Sequence, residues 1–417
     1  MSPNVAEGRS TCDIFSSDNI ENRHEERKSM ERLVCSELKL GIIAGGQLGK
    51  MLIQEASKWD IVSYVLDSNK DCPAGKIASH FIQGNHLDFD SVYQFGKLVD
   101  VLTFEIENVN IDALKRLKAE GRRIVPDPDI IELIQDKGSQ KEFCQKNGIP
   151  TSTFRLFESK TAILNGIEKG EIALPLVQKL RKGGYDGRGV AVINDCHDLK
   201  KLLEGSCLVE EKVAIAKELS VIVARNAKGE IKCFPVVEML FDPKANLVEK
   251  LICPSSIPAD QADNMMSIAS KLIELLKMEG LLAVEFFIDS KGDILVNEMA
   301  PRPHNSGHHT IESIITSQFE QHLRAILRLP LGSTRLKLPS VMINILGSEG
   351  FEGPVVYEGL TESMAIEGVK IHLYGKKITQ AYRKMGHVTV LASSLEEALD
   401  KAEKVKQLIK VKSWNKN

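Results

Sequence analysis

The periodicity of the apolar residues changes near Gly148, and no other feature constrains the fold as much. Upstream of that point, short apolar runs alternate with stretches of helical period. "LKLGIIAGGQLGKMLIQEASKW" opens the pattern with an apolar run (Leu40 to Ala44), a glycine turn and an amphipathic helix. That is how a β-α-β unit begins. "IVSYVLD", "DVLTFEIENV" and "RRIVP" repeat the strand signal with helical segments between them, so an open parallel sheet is expected. Pro126 and Pro128 interrupt it, and "DIIELIQDKGSQKEFCQKNGIP" reads as helices ending at Gly148. Downstream the pattern is that of hairpins, with strands expected at 174–180, 189–193, 207–211, 218–225, 231–239, 281–288 and 294–299. One helix, "ADQADNMMSIASKLIELLKMEG", lies among them, and another follows in "SQFEQHLRAILRL". "PLGSTRLKLPS" reads as a linker into a smaller β-rich unit from about 340. The expected fold class is α/β followed by α+β.

A chain of 417 residues holds two or three domains. Apolar residues at 43% and charged residues at 27% are those of an ordinary globular protein. A formal net charge of -3 gives no reason to expect nucleic acid or an acidic membrane as partner. No apolar run approaches the ~20 residues of a spanning helix. The eight cysteines are scattered without a C-x-x-C pair, which is neither a zinc framework nor a disulfide scaffold, and reads as reduced thiols in the cytoplasm. Residues 1–37 are polar, dense in both signs of charge and without a periodic apolar face. They read as a disordered tail rather than a secretory or organelle signal.

Four segments carry chemistry. "AGGQLG" (Ala44 to Gly49) places backbone amides at a helix N-terminus, with Asp67 ending the next strand. A dinucleotide, another phosphorylated ligand and a tight turn packing helix on strand all remain open there. "RKGGYDGRGV" separates two strands by a long charged loop where a two-residue turn would serve. Glycines 183, 184, 187 and 189 let successive N–H groups converge on an anion, with Lys179, Lys182 and Arg188 around it. A phosphate-covering flap explains both glycine content and length; the plain alternative is a mobile surface hairpin.

The third segment is "LLAVEFFIDSKGDILVNEMAPR". If Asp289 pairs with Ile294, Glu285 falls opposite Glu298, and two facing carboxylates repel unless a cation lies between them. Hard oxygen ligands suit Mg²⁺, and Asn297 is adjacent. A solvated surface hairpin fits poorly with the apolar runs around both glutamates. In the fourth, "PRPHNSGHHT", His304, His308 and His309 invite a zinc reading, but two prolines and Gly307 break any helix that would align them. Arg302, His304 and Asn305 suit a small planar anion.

Together, "KLRKGGYDGRG", "VEEKVAIAKELS", the Glu285/Glu298 pair and "NEMAPRPHNSGHHT" resemble the 5-(carboxyamino)imidazole ribonucleotide synthase family of ATP-grasp enzymes, over about residues 38 to 410. "AGGQLGKM" and "TFEIENV" strengthen the likeness. The resemblance implies an ATP-grasp fold. A Rossmann-like pre-ATP-grasp sheet would span 38–130, a two-lobed ATP-grasp domain 131–335 with its flap at 183–189, and a small β-rich C-terminal domain 336–417. It implies ATP- and bicarbonate-dependent carboxylation of aminoimidazole ribonucleotide in purine biosynthesis, by way of carboxyphosphate. ATP and magnesium would be the cofactors, with manganese as a substitute, and the assembly would be a homodimer.

Carried over by position, Lys179 would contact ATP phosphate, and Gly183, Gly184, Tyr185, Asp186, Gly187, Arg188 and Gly189 would close over it. Glu210, Glu211, Lys212 and Val213 would form the hinge strand reading adenine, with Glu218 on the ribose. Asn297 and Glu298 would also reach the nucleotide. Glu285 and Glu298 would bind magnesium. Arg302, His304 and Asn305, with Asp186 and Arg188, would do the chemistry. Gly46, Gln47, Leu48, Glu105, Tyr185, Arg383 and Lys384 would hold the aminoimidazole ribonucleotide. Two positions depart from the family: Ala44 replaces a glycine, and Phe241 a histidine. The rivals are a formate-dependent glycinamide ribonucleotide transformylase, a nicotinamide oxidoreductase built on "AGGQLG", and an idle nucleotide-binding regulator.

Overall fold

The first sheet assembles around the apolar run that opens the ordered sequence. Leu40, Ile42 and Ile43 are fully buried, in a strand Lys39–Ile43 that lies at the centre of five parallel strands. Its neighbours are Val62–Asp67 and Val101–Phe104, with His80–Gln83 and Arg123–Ile124 at the edges. His80–Gln83 is absent from the sequence reading, because a four-residue, half-exposed edge strand carries almost no apolar signal. The computed structural model describes residues 37–184, 189–242, 244 and 247–414. Residues 1–36 of the expected tail, and Tyr185, Asp186, Gly187 and Arg188 of the expected flap, lie outside the described residues.

The expected helix pair upstream of Gly148 forms as Pro128–Gln135 and Lys137–Lys146. Asp127 caps the first, with Pro128 pre-set at its first turn, and Asp136 caps the second. A four-stranded antiparallel sheet follows, in the order Phe154–Phe157, Cys207–Glu211, Leu176–Leu180, Val190–Ile193. It makes a small lobe with its own core, including Ile163, Leu176, Ile193 and Cys207.

The large lobe is a nine-stranded sheet. Ile215–Arg225 lies between Gly280–Asp289 and Val237–Asp242, and Ile294–Ala300 forms one end. The expected strand 231–239 is two strands, Ile231–Cys233 and Val237–Asp242, because Pro235 removes a ladder donor between them. The strand Leu247–Cys253 was not expected; it pairs Val237–Asp242 on one side and Ser340–Leu346 on the other. That second pairing carries the sheet past residue 340 into Lys384–Leu391 and Val369–Leu373. The last unit is therefore hydrogen-bonded into the large lobe rather than tethered to it.

One core joins the units. Leu40 and Val65 of the first sheet, with Met51 and Leu52 of the helix Gln47–Ala56, pack with Phe319, Leu323 and Ile326 of the helix Gln318–Ile326, and with Tyr374 of the last unit. Among the described residues, no helix is long and apolar enough to cross a membrane. Phe319 is fully buried at this three-way junction. Phe319→Ala is expected to lower unfolding stability by about 3–5 kcal/mol, read as a shift of the urea midpoint.

Candidate active site

The small lobe and the large lobe meet over a buried carboxylate. Glu210, on the strand Cys207–Glu211, is 4% exposed. Its Oε1 lies 2.7 Å from Lys141 Nζ, and its Oε2 lies 2.6 Å from Lys179 Nζ. Burial pushes the Glu210 carboxyl up, but the two ammonium groups outweigh it and bring it down to about 2. Lys141 also donates to Ser152 Oγ at 2.9 Å and to the carbonyl of Val296 at 3.2 Å. Lys179 donates to Asn297 Oδ1 at 2.8 Å, which ties the small lobe to the last hairpin of the large one. Two cations sharing one buried carboxylate leave excess positive charge where the lobes meet, which a phosphate would relieve.

Glu285 and Glu298 are register partners. The route differs from the one expected. Ile288, not Asp289, pairs with Ile294, and a bulge at Asn297 restores the facing arrangement. The extra residue also lets Asn297 reach Lys179. Burial, then Glu298 and Glu218, raise the Glu285 carboxyl to about 7. Burial likewise takes Glu218 to about 7. Desolvation opposes Glu298's ionisation, yet the Lys137 ammonium paired with it lowers its carboxyl below the usual range. Among the described residues no three His, Cys, Asp or Glu side chains converge as a metal site. The two facing carboxylates still fit a hard cation whose remaining ligands come from phosphate and water.

Beside this pair lies the segment "PRPHNSGHHT". Arg302 pairs with Glu107 Oε1 at 2.8 Å and donates to the carbonyl of Pro303 at 2.9 Å. His304 Nε2 stands 3.6 Å from Glu285 Oε1. Its backbone is clamped by the fully buried Gln318, whose Oε1 accepts from His304 N–H at 2.8 Å while its Nε2 donates to the His304 carbonyl at 2.7 Å. Burial, then Arg302 and Lys384, lower the His304 imidazole to about 3, so the ring is neutral. Arg302 Nε and both amide atoms of Asn305 are buried without a hydrogen-bond partner among the described residues. A small anion would satisfy the guanidinium and the amide together.

The first sheet contributes a different arrangement. Glu105 accepts from the amides of Gly46 and Gly49, the latter at 2.6 Å, and Asp67 accepts from Gly45 at 2.8 Å. The N-terminus of the helix Gln47–Ala56 is thus occupied by the chain's own carboxylates. A Cβ at Gly46 would collide with Glu105 Oε1. The tight-turn reading of "AGGQLG" holds for these amides, and Asp67 does not project as a ribose acceptor. Ala44 takes a left-handed φ of 68°, the turn that a glycine would make more readily. Gln47 and Leu48 lie half-buried at the rim.

Across the cleft, Arg383 donates to the carbonyl of Ile378 at 2.6 Å, and Lys376 donates to the carbonyl of Lys384 at 2.7 Å. Phe241 packs half-buried against the cluster of Met239, Leu251 and Met342. In the hinge, Glu211 N–H donates to Thr153 O at 3.1 Å, and Lys212 Nζ reaches Asn194 at 2.7 Å. Gly183 and Gly189 have φ of 78° and 76°, and Leu180 N–H donates to Gly189 O at 2.8 Å, closing the base of the loop. Lys137, Lys141, Glu107 and Gln318 are absent from the sequence reading. Lys137 and Lys141 carried a usable signal: spaced four apart on one helix, they present two ammoniums on one face.

Residues 142–319 match the model of the ATP-grasp domain, residues 38–135 that of the ribonucleotide synthetase preATP-grasp domain, and residues 340–401 that of the phosphoribosylaminoimidazole carboxylase C-terminal domain. An N5-carboxyaminoimidazole ribonucleotide synthase of Bacillus subtilis is 36% identical, covering 86% of this chain and 92% of its own. A chloroplastic phosphoribosylaminoimidazole carboxylase of Vigna aconitifolia is also 36% identical, and the chain spans 65% of its length. The crystal structure of the Thermotoga maritima N5-carboxyaminoimidazole ribonucleotide synthetase superposes with a TM-score of 0.83 at 45% identity, covering 90% of this chain and 99% of that one. An Aspergillus clavatus synthase in complex with ADP and 5-aminoimidazole ribonucleotide superposes with a TM-score of 0.81 at 31% identity, over 89% of this chain and 98% of that one.

The raised carboxyls have a measurable consequence. An unfolded glutamate loses its proton near 4.5, whereas Glu218 and Glu285 hold theirs to about 7 in the fold. The folded protein keeps protons that the unfolded chain has lost, so stability falls as pH rises through that window. Glu218→Gln and Glu285→Gln should each stabilise the nucleotide-free protein at pH 8, by on the order of 1–2 kcal/mol. The gain should vanish by about pH 4, as read by chemical denaturation at both values.

Proposed function

The chain belongs to the N5-carboxyaminoimidazole ribonucleotide synthase family, and from that premise we propose that it joins bicarbonate to the amine of 5-aminoimidazole ribonucleotide at the expense of ATP. The observation that carries the reading is the 3.6 Å approach of His304 to Glu285. It sets the group suited to a small acid against the carboxylate suited to the nucleotide's metal. A phosphoryl donor and its acceptor would therefore meet within one cleft.

In the first step a bicarbonate oxygen attacks the γ-phosphorus. The bond to the β-γ bridging oxygen breaks, giving ADP and carboxyphosphate. Lys141 and Lys179 leave their shared carboxylate to hold phosphate oxygens, and positioning with charge neutralisation does most of the catalytic work. Magnesium, held by Glu285 and Glu298, would neutralise charge on the transferring phosphoryl group. Arg302, fixed by Glu107, and Asn305 orient the bicarbonate. Carboxyphosphate then loses phosphate as CO₂ forms, the substrate nitrogen bonds to that carbon, and the amine releases a proton. Water must be excluded meanwhile, which is the work we assign to the loop 183–189. Arg383 and Lys384 would take the ribonucleotide's phosphate.

Formate with glycinamide ribonucleotide is the nearest alternative pair, since formate is also a small planar anion. The neutral His304 imidazole and the unpartnered Asn305 amide near Arg302 in the sequence favour an acid with three oxygens. ADP release should need bicarbonate, rise with aminoimidazole ribonucleotide, and ignore formate with glycinamide ribonucleotide in bicarbonate-depleted buffer. Turnover with the second pair alone would overturn the assignment. Arg302→Lys should lose about two orders of magnitude in kcat/KM, because an ammonium cannot make the two-pronged contact. Glu298→Gln should raise the magnesium needed for half-maximal ADP release about tenfold; an unchanged requirement would remove Glu298 from the metal site. The family likeness also implies a cytoplasmic homodimer, and sedimentation velocity reads the assembly.

A further inference from the structure

Behind the segment that carries Arg302 and His304 lies a column of stacked histidines that the reaction, as described so far, does not use. His308 and His387 are both fully buried. Their rings stack at 4.7 Å with 26° between planes, and His387 stacks on His372 at 4.5 Å and 6°. The second stack follows from register, since His372 and His387 are cross-strand partners in the last unit. The outer end is tied down by Glu312, 3.1 Å from His372 Nε2, and the middle by Tyr374 OH, 3.1 Å from His387 Nδ1. On its other face His308 stacks on Phe319 at 6.2 Å.

The inner end is not tied down. Both ring nitrogens of His308, and Nε2 of His387, are buried with no hydrogen-bond partner among the described residues. A ring nitrogen buried without a partner is destabilising, and a phenyl ring would fill the same space without that cost. Two residues of the same segment carry orphaned buried atoms as well, Arg302 at Nε and Asn305 at both amide atoms. His308 N–H donates to Asn305 O at 3.1 Å within one turn, so positions 305 and 308 share a face. Burial, then the neighbouring His304, Lys384, His372 and His309, hold His308 far below the usual imidazole range. It is therefore neutral, with one nitrogen donating and the other accepting. Arg302 Nε and the Asn305 amide nitrogen donate, while Asn305 Oδ1 accepts. Bicarbonate offers the complement: acceptor oxygens and a single O–H donor.

We propose that His308 is a further binding residue for the one-carbon acid, forming the inner wall of the Arg302–Asn305 subsite, and that His387 is a positioning residue that holds its ring in place by stacking. This rests on bicarbonate being the acid activated. It gives the second GH pair in the sequence, Gly386-His387, a role: it joins the strand that begins at Lys384 to the anion segment.

The test compares the parent with His308→Phe, His308→Gln and His387→Phe by steady-state ADP release and by incorporation of labelled bicarbonate. His308→Phe keeps the ring and the stack but removes the nitrogens. Its melting temperature should stay at or above the parent's, and its KM for ATP should stay within about twofold. Its KM for bicarbonate should rise about tenfold, with less carboxylated product per ADP, and His308→Gln should recover part of that loss. His387→Phe should move the same two quantities by less. A His308→Phe variant with the parent's bicarbonate KM and product ratio would make the column mere packing. So would equal losses for ATP and bicarbonate in both His308 variants. Should His308→Phe not fold, the same criteria are applied to His308→Gln and His387→Phe. A parent enzyme indifferent to bicarbonate would overturn the functional reading itself, and its own substrate dependence shows this before any variant is made.

Discussion

A carboxylate placed opposite another on an antiparallel pair repels it, and in this protein the repulsion between Glu285 and Glu298 is answered from outside the hairpin. Lys137 settles on Glu298. Glu285 has no ammonium at contact distance among the described residues, and burial, then Glu298 and Glu218, raise its carboxyl to about 7. On the facing wall the imbalance is reversed, because Lys141 and Lys179 share the single carboxylate of Glu210. The two walls are therefore unsatisfied in opposite ways, with crowded carboxyls that resist ionisation on the large lobe and excess positive charge where the lobes meet. A polyphosphate carrying a divalent cation corrects both at once, whereas either partner alone would correct one and aggravate the other. The hairpin bulge couples the two walls, since Asn297 bonds to Lys179 from the residue beside Glu298.

The site's other half depends on how the units are joined. Arg302 belongs to the large lobe, yet its carboxylate partner, Glu107, follows a strand of the first sheet. His304 is clamped by Gln318, which opens the helix whose next residue, Phe319, packs into the first sheet's core. The pairing of Leu247–Cys253 with Ser340–Leu346 carries the large sheet into the strand that begins at Lys384. Three units therefore position Arg302 and His304 through backbone ladders and packed side chains, and few of those contacts are free to slide.

The parts of this arrangement that were legible in the sequence are those with local signatures. The βαβ opening, the glycine loop and the facing glutamates can each be read from spacing within one segment. The facing pair was reached through the wrong register, and the bulge at Asn297 compensated. Local spacing says nothing about Glu107 meeting Arg302, or about Gln318 meeting His304, because those contacts depend on how distant segments pack. The amides of "AGGQLG" were legible as anion acceptors, but the sequence could not show that their anions are Glu105 and Asp67. Short, half-buried strands such as His80–Gln83 escape for a simpler reason: they bury too little apolar surface to leave a pattern.

The costs in stability fall in the same places. Ala44 holds a left-handed φ of 68° immediately before the glycines of the first turn. Tyr382 holds one of 61° immediately before Arg383 and Lys384. Each costs roughly 1–2 kcal/mol relative to an unstrained residue. Burial also raises the carboxyls of Glu218 and Glu285, and Arg302, Asn305 and His308 carry buried atoms without a partner among the described residues. The cores are ordinary, filled by fully buried Leu, Ile, Val and Phe. A chain selected for stability alone would have put glycine at 44 and an apolar ring at 308. That it does neither is the kind of local cost that proteins carry at functional segments.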